Sequence, residues 1–385
     1  MKHKKSILIF LTLLILLCGM LIGWKFVATK HSSSDRNSST QSKIKKIYNV
    51  KNQRKIAASL EREKENPDYT ADNMFVKYNP YGTNTQSLYV YFKTENAVKV
   101  SYTIHVDDDS ISDFTRNVYQ DNTYQKTHEF QIIGLIPNQN NKITVTLTKK
   151  NGTTIKKEFY YELGDLMGDE EVQLKTDISN AKKLSDGFYV VLGNDSEQTD
   201  FMYYYDNQGI LRGEVPILGY RSHRLIFDED TMYYSISETK LAQVNRLGQV
   251  TNVFDLDHYK LHHDYVFDKD GNLLILATDT TQDSVEDVVI KLDPSYGTVS
   301  EIVDLGDLFP NYKASCTENS DGDLDWMHIN TIQYIDDDSI ILSSRETSSI
   351  IKIKNISSSP ETEYIIGDPD FWKGTGYENL VSVSF

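Results

Sequence analysis

The sequence predicts an all-β protein: a small N-terminal β-sandwich followed by an incomplete β-propeller of about four blades, with an N-terminal transmembrane helix. Three observations carry this prediction. Residues 74–161 contain strands with a hydrophobic period of two, residues 186–344 repeat an acidic turn followed by an apolar strand, and residues 7–24 form one apolar run.

Composition limits the classes of function. The 385 residues are 39% hydrophobic and 25% charged, which fits a globular protein with polar attachments. The net charge of -16 excludes general nucleic-acid binding, because neutralising phosphates requires an excess of Lys and Arg. Cys18 and Cys316 are the two cysteines, and the first lies in the apolar run, so no disulfide is expected within a domain.

The first 30 residues predict a cytoplasmic tip and a transmembrane signal anchor. Lys2, Lys4 and Lys5 precede the run from Ile7 to Trp24, which is long enough to cross a bilayer. A cleaved signal peptide and a lipoprotein box at residues 15–18 are the alternatives. The predicted location is therefore the cell membrane, with a single crossing and the bulk of the chain extracytoplasmic.

Residues 31–72 predict a polar stalk and an amphipathic helix. The segment from His31 to Ser42 is rich in Ser and other small polar residues, which is typical of a flexible linker. The segment from Ile44 to Glu65 has spaced apolar residues among charges and predicts one helix. This helix is interpreted as a spacer on the next domain, with a homodimer contact as the alternative.

Residues 73–163 predict the antiparallel β-sandwich. The strands at 88–92, 98–104 and 143–147 are rich in β-branched and aromatic residues. Asn151-Gly152 predicts a tight hairpin turn before the next strand. Its two histidines, His105 and His128, are interpreted as structural residues.

Residues 164–385 predict the partial propeller. The acidic turns begin at Asp186, Asp228, Asp268 and Asp336, so the first two intervals are 42 and 40 residues. These intervals match the period of a four-stranded propeller blade. The last interval of 68 residues predicts an insertion of roughly 27 residues before the fourth copy.

No metal and no cofactor are expected. The acidic turns at Asp268 and Asp321 resemble calcium loops, but neither has the full alternating ligand set. Asp and Gly are common in turns between strands, so the turns are interpreted as structural. The sequence also contains no nucleophile elbow, phosphate loop or zinc-ligand spacing.

Two histidines and an arginine are the candidate catalytic residues. His263 and His328 each precede a blade strand, and Arg345 follows the strand of the fourth copy. Equivalent positions in successive blades approach the propeller axis, so these side chains are expected to converge although they are distant in sequence. Two imidazoles and a guanidinium would suit a sulfate or phosphate ester.

At these positions the chain resembles the arylsulfate sulfotransferase family of bacterial surface and periplasmic enzymes. The resemblance extends from about Asn73 to the end of the chain, and the Asp-Trp-Met-His-x-Asn string followed by Ser-Ser-Arg is its most specific part. The matching segments are Asn79-Pro80-Tyr81-Gly82-Thr83, Thr127-His128-Glu129-Phe130, His262-His263-Asp264, Asp325-Trp326-Met327-His328-Ile329-Asn330 and Ser343-Ser344-Arg345.

The resemblance implies transfer of a sulfuryl group from an aryl sulfate donor to a phenolic acceptor through a sulfohistidine, without a nucleotide donor or other cofactor. Arg345 would bind the sulfuryl oxygens, and His263 and His328 would donate hydrogen bonds or move protons. The implied substrate-binding residues are His262, Asn330 and Trp326. Which of His262 and His263 faces the pocket is open, with His263 favoured.

The sequence departs from the family at one point. The family's nucleophilic histidine lies in a later blade, whereas no histidine follows Arg345 here and the sequence given ends at Phe385. About four blades are recognisable where the family has six. Two interpretations stay open: a sulfotransferase whose remainder is missing or is supplied by another chain, and an inactive relative that binds aryl sulfates or acts as a surface interaction module.

Overall fold

The computed structural model describes residues 38–65, 69–119, 123–168, 183–193, 200–335 and 337–383. These residues form an all-β fold with a few short helices. Across the described ranges no helix is both long and apolar enough to cross a membrane. The membrane segment predicted at residues 7–24, and the cytoplasmic tip before it, lie outside these ranges.

Two helices precede the first strand, where the sequence predicts one. Helix α1 covers residues 38–47 and α2 covers Val50–Lys64. The break occurs at Asn49, whose backbone is extended and whose side chain accepts a hydrogen bond from Asn52 N at 3.0 Å. Asn favours this N-cap position because its side chain satisfies an amide that lacks a helical partner.

The N-terminal domain, predicted as a small antiparallel β-sandwich, is built on one six-stranded antiparallel sheet that bends along β2. Strand β2 is 19 residues long and has a register shift between Lys93 and Val98. Its first half pairs with β1 and β4, and its second half pairs with β3 and β5, so one strand belongs to both layers. The strands are β1 (Phe75–Tyr78), β2 (Ser87–His105), β3 (Phe114–Asn117), β4 (Gln125–Ile133), β5 (Gln139–Lys149) and β6 (Thr154–Leu163).

Four sheets with propeller-like packing follow, and we call them blades 1 to 4. All neighbouring strands within them are antiparallel except the last pair, β21 and β22. Blade 1 contains β7 (Tyr189–Val191), β8 (Asp200–Tyr205) and β9 (Leu211–Ile217); blade 2 contains β10 (Leu225–Asp228), β11 (Thr231–Ser237), β12 (Lys240–Asn245) and β13 (Val250–Asp255). Blade 3 contains β14 (Tyr259–Phe267), β15 (Leu273–Asp279), β16 (Val288–Asp293) and β17 (Thr298–Asp304); blade 4 contains β18 (Ile329–Ile335), β19 (Ser339–Ser344), β20 (Ser349–Lys354), β21 (Glu361–Ile366) and β22 (Val381–Val383).

Apolar layers between successive blades form the core. In β15, Leu274 and Leu276 pack with blade 4, whereas Leu273 and Ile275 pack with blade 2. Both faces of the strand are therefore buried, which explains its continuous apolar sequence. This stacking brings the first strands of blades 3 and 4, β14 and β18, into contact.

Three short helices lie outside the blades. The insertion predicted before the fourth repeat contains α3 (Leu305–Leu308) and α4 (Pro310–Lys313). Helix α5 (Pro369–Trp372) and a 3₁₀ turn (Glu378–Leu380) separate β21 from β22. Phe309 and Trp372 are fully buried and their ring centroids lie 5.7 Å apart, so the insertion packs on blade 4.

Two buried charges of β9 join blade 1 to the N-terminal sheet. Arg212 Nε donates to Asp206 Oδ2 at 2.8 Å, and its Nη2 donates to the Ser112 carbonyl at 2.9 Å. Thr85 Oγ1 donates to Glu214 Oε1 at 2.7 Å. Burial raises the pKa of the Glu214 carboxyl, although the hydrogen bond from Thr85 opposes that shift. Both charged side chains have polar partners across the domain junction.

The acidic turns are held by their own side chains. Asp268 Oδ1 accepts hydrogen bonds from Asp270 N at 2.8 Å and Asn272 N at 2.9 Å. Asn319 Oδ1 does the same for the backbone N–H groups of Asp321 and Asp323. An Asp or Asn at the start of a turn thus satisfies amides that have no partner in a strand.

Candidate functional site

His263 lies in a wide bulge of β14. The pairing with β15 passes from Leu261↔Ala277 to Tyr265↔Ile275, so three residues of β14 face one residue of β15. His263 has a φ of 51°, an uncommon conformation for a residue with a Cβ. Such bulges re-orient side chains, and this one directs His263 toward blade 4.

His328 has a similar local structure in blade 4. It has a φ of 48° and directly precedes β18, whose register shifts between Ile329 and Thr331. Its carbonyl accepts a hydrogen bond from Arg345 N at 3.1 Å, which fixes it against the end of β19. The two blades therefore present a histidine from equivalent, irregular positions of their first strands.

The two histidines are in contact. His263 Nε2 lies 3.1 Å from His328 Nε2, and the ring centroids are 5.1 Å apart. A hydrogen bond between two imidazole nitrogens needs one donor and one acceptor, so a single proton occupies this contact. The side chain of His263 is 27% exposed and that of His328 is 11% exposed, so His263 is the more accessible.

Two carboxylates lie behind this pair. His328 Nδ1 donates to Asp325 Oδ2 at 2.8 Å, which leaves its Nε2 directed at His263. Glu286 Oε2 lies 2.8 Å from His328 Nδ1 and 3.5 Å from His263 Nε2, but neither contact has hydrogen-bond geometry. Burial acts to raise the pKa of Glu286, yet the contact with His263 and the neighbouring histidines outweigh it, and the pKa is lowered.

Two further histidines border the pair, and the sequence analysis missed the first. The ring of His223, from the segment before β10, lies edge-on to that of His263 at 6.4 Å. The nitrogens of His262 and Nε2 of His223 are buried without a hydrogen-bond partner among the described residues. Burial lowers the pKa of His223 to about 3 and that of His262 to about 4, so both rings are neutral near pH 7.

A signal for His223 is present in the sequence. His223 precedes Asp228 by five residues, and His263 precedes Asp268 by five residues. The intervening residues also match in type, Leu-Ile-Phe in blade 2 and Tyr-Val-Phe in blade 3. An alignment of the repeats from these turns would have identified it.

Asp264, the third residue of the His-His-Asp segment, aligns the blades. Its Oδ1 accepts from Arg224 Nη1 at 2.7 Å, and its Oδ2 accepts from Ile332 N at 3.1 Å. Arg224 directly precedes β10 of blade 2 and Ile332 belongs to β18 of blade 4, so one carboxylate bridges three blades. This bridge fixes the position of the adjacent His263.

Arg345 lies at the rim of the site. Its side chain is 53% exposed, and Nη2 lies 3.0 Å from Asp325 Oδ2 and 2.7 Å from Glu346 Oε1. In the part of the chain that the structure describes, its guanidinium has no hydrogen bond to His263 or His328. Arg345 is thus connected to the histidine pair through Asp325.

The described hydrogen bonds of the other two residues predicted to bind substrate, Asn330 and Trp326, go to partners outside the pair. Asn330 Oδ1 accepts a hydrogen bond from Ser343 Oγ at 2.6 Å. Trp326 is 3% exposed and lies in the core between blades 3 and 4, and its Nε1 donates to Asp287 Oδ2 at 2.7 Å. This position gives the Trp326 ring a packing role.

The histidines and carboxylates form two sets with the spacing of metal ligands. One set is His262, His263 and Glu286, and the other is Glu286, Asp325 and His328; within each set the ligand atoms lie within 4.8 Å of one another. Imidazole and carboxylate ligands suit zinc and related divalent ions. The sequence offers no such spacing, because the ligands come from three separate segments.

The charges of the site depend on protons. The carboxylates of Glu286 and Asp325 lie next to the pair, and the carboxylate of Glu346 and the guanidinium of Arg345 lie at the rim. Arg221 also acts electrostatically on the neighbouring His223. A proton on the His263–His328 pair adds positive charge to this site and therefore favours an anionic ligand.

Two family models match the chain. Residues 173–382 match the model described as Arylsulfotransferase (ASST), and residues 75–163 match the model described as Arylsulfotransferase Ig-like domain. No curated protein matches the chain.

Solved structures show only weak similarity. A virginiamycin B lyase from Staphylococcus aureus is 8% identical, covering 75% of this chain and 86% of the lyase, with a TM-score of 0.30. A putative 6-phosphogluconolactonase from Bacteroides fragilis is 10% identical, covering 74% of this chain and 82% of that protein, with a TM-score of 0.30. Similarities at this level support no inference about fold or function.

Proposed function

The chain belongs to the arylsulfotransferase family, and we propose that it transfers a sulfuryl group from a phenolic sulfate ester to a phenol at the His263–His328 pair. The family implies an aryl sulfate donor and a phenol acceptor. The observation that supports this site is the 3.1 Å contact between the two Nε2 atoms, which come from different blades.

His263 is the proposed nucleophile. It is the more exposed of the pair, and its Nε2 faces a histidine that can move a proton. In the first step Nε2 attacks sulfur, an N–S bond forms and the bond between sulfur and the phenolic oxygen breaks. The leaving phenolate takes a proton from His328 Nε2, which yields a sulfohistidine and a neutral phenol.

His328 is the proposed acid and base. Its Nδ1–H is held by Asp325, so a positive charge on the ring is stabilised and Nε2 is the atom that exchanges the proton. In the second step the acceptor phenol gives its proton to His328 Nε2 and its oxygen attacks sulfur. The N–S bond then breaks, and His263 and the protonated His328 are regenerated.

Arg345 is the proposed binding group for the sulfuryl oxygens. Its guanidinium is half exposed at the rim, where the ester would enter. To reach the ester it must exchange its contacts with Asp325 and Glu346 for contacts with the sulfuryl group. A planar guanidinium can make two parallel hydrogen bonds to such an anion.

A second candidate function is binding of an aryl sulfate without transfer. The observation that favours it is the direct contact of the histidine pair, since the two Nε2 atoms are directed at each other rather than at a sulfur atom. In that case the site would hold the ester through protonated histidines and Arg345, and no covalent intermediate would form.

Assays of the full chain with a chromogenic aryl sulfate and phenol test the proposal. We expect phenol release, and a peptide containing His263 that gains the mass of one sulfuryl group after an acid-free quench. His263→Asn and His328→Asn should each lower turnover at least about 1000-fold. Asn tolerates positive φ, so these variants keep the backbone conformation.

The matched control is His105→Asn. His105 forms an exposed pair with Asp113 in the N-terminal sheet, 2.7 Å between Nδ1 and Oδ1. Its replacement should leave turnover unchanged. Saturable binding of the ester with no transfer and no modified peptide would favour the second candidate, and turnover that survives both active-site variants would contradict the proposed site.

A further inference from the structure

One short segment of this acidic chain is strongly basic. Residues 41–60 contain no Asp or Glu, whereas the whole chain has a net charge of -16. The basic residues in this segment are Lys43, Lys45, Lys46, Lys51, Arg54 and Lys55. A positive patch in a negative protein has a local field that differs in sign from the rest of the surface.

The fold exposes all six basic side chains on helices α1 and α2. The apolar residues between them, Ile44, Ile47 and Tyr48, are buried and hold the helices against the blades. Over the described ranges none of the six has an ion-pair partner, whereas Lys64 at the end of α2 pairs with Glu61 and Glu129. Among the described residues, no acidic side chain pairs with the positive charges of the α1–α2 corner.

The corner is concave. A groove of about 500 Å³ lies between the two helices, and Lys45, Lys46, Lys51 and Lys55 line it together with Asn49 and Asn52. The groove combines ammonium groups with amide donors, and both kinds of group can donate hydrogen bonds to phosphate oxygens. We call this surface the basic groove.

We propose that the basic groove binds the anionic phospholipid headgroups of a membrane surface. Clusters of four to eight Lys and Arg residues attract anionic bilayers, while the net negative remainder of the chain is repelled by them. The partner is a membrane rather than a soluble anion because the sequence predicts a membrane segment ending at Trp24. The 13 residues between Trp24 and the start of α1 can span at most about 47 Å, which keeps the groove near that surface.

The binding orients the protein. The groove is at the junction of the N-terminal sheet and the first two blades, so its contact with lipid would fix the direction of blades 3 and 4 relative to the membrane. Because the attraction is electrostatic between exposed charges, salt weakens it.

Hydrogen exchange of the full chain in lipid nanodiscs tests the proposal. The predicted membrane segment then anchors the chain equally in every sample, so the samples differ only in the charge of the lipid. Discs of phosphatidylcholine alone are compared with discs that also contain phosphatidylglycerol. We expect amides of residues 42–56 to exchange at least about threefold more slowly in the anionic discs, with the difference lost at high salt. The triple variant Lys45→Glu, Lys46→Glu, Lys51→Glu should abolish the difference.

A variant with the same charge change elsewhere is the control. Lys126→Glu, Lys269→Glu and Lys373→Glu alter three exposed lysines outside the groove and should retain the protection. Equal exchange in both disc types, or equal loss of protection in both triple variants, would overturn the proposal. Protection by inorganic phosphate or polyphosphate in phosphatidylcholine discs, without an effect of phosphatidylglycerol, would assign the groove to a soluble anion instead and would also overturn it.

Discussion

Asp325 contacts both a histidine and an arginine of the candidate site. Its Oδ2 atom accepts from His328 Nδ1 at 2.8 Å and from Arg345 Nη2 at 3.0 Å. One carboxylate therefore sets the orientation of the imidazole and holds the guanidinium at the rim. Asp325 acts through these two residues, so it is a positioning residue rather than a catalytic one.

Asp325→Asn should lower kcat about 100-fold with little change in stability. The amide has the same shape as the carboxylate but no charge, so it stabilises protonated His328 less and can favour the wrong tautomer. A shift in the pH dependence of turnover would separate this role from simple packing. Asp323→Asn, in the exposed turn nearby, is the control and should behave as wild type. Unchanged kcat in Asp325→Asn would remove Asp325 from the mechanism.

Metal ions should inhibit transfer rather than support it. Zn²⁺ can occupy His262, His263 and Glu286, and it would then block the proposed nucleophile. We expect a chelator to leave turnover unchanged, Zn²⁺ to inhibit, and Mg²⁺ at the same concentration to have no effect because it prefers oxygen ligands. Glu286→Gln should weaken the zinc inhibition at least about tenfold. Loss of turnover on chelation, restored by one equivalent of zinc, would show instead that the site needs a metal.

Local sequence pattern predicted the strands and the meeting of two histidines. Alternating residues mark β2 and β5, and the repeated acidic turns mark the blades, because both features depend on neighbours in the chain. The convergence of His263 and His328 followed from their equivalent places in two repeats. The sequence did not identify Glu286 as a site residue. Glu286 lies in a loop between β15 and β16, and its proximity to the histidines depends on the packing of one blade against the next.

The breaks and bulges of the backbone could not be predicted from the periodic sequence pattern either. The one predicted helix over Ile44–Glu65 is broken at Asn49, since an N-cap hydrogen bond there outweighs the continuous amphipathic period. The strands of the predicted sandwich all belong to one sheet, since β2 continues through the bulge instead of ending at it. Bulges and caps depend on single residues, to which a periodic pattern is insensitive.

Removing Arg212 should destabilise the protein strongly. Arg212→Met leaves Asp206 buried without its partner, and breaking a buried pair in this way costs about 3–5 kcal/mol. The double variant with Asp206→Asn should recover part of that loss, because no uncompensated charge is left. Denaturant unfolding measures both values.

The control is Arg54→Met, which replaces an exposed arginine and should change the free energy of unfolding by less than about 0.5 kcal/mol. Equal effects of Arg212→Met and Arg54→Met would contradict the importance of the junction.

His128 should make the N-terminal sheet sensitive to acid. Its ring is fully buried and stacks on Phe92 at 4.7 Å, and burial lowers its pKa to about 4. Between the ordinary value near 6.5 and about 4, the unfolded chain binds a proton that the folded chain does not. The free energy of unfolding should therefore fall by up to about 3 kcal/mol as the pH falls through this window.

His128→Gln provides the comparison. Glutamine can keep a hydrogen bond to Thr94, whose Oγ1 lies 3.2 Å from His128 Nε2, but it does not titrate. The slope of stability against pH between 6.5 and 4 should therefore be smaller in this variant than in the wild type. An identical slope in both proteins would show that folding does not change the protonation of His128 and would contradict the lowered pKa.

The junction at β9 also has a consequence for biosynthesis. The N-terminal sheet leaves the ribosome before Arg212 is translated, yet the Ser112 and Gly134 carbonyls at its edge are bonded by that arginine in the folded protein. Until β9 is translated, these two carbonyls and the ring of Phe114 lack their contacts with Arg212. Maturation of the first domain is thus completed by a strand of the second, and the order of translation delays that step.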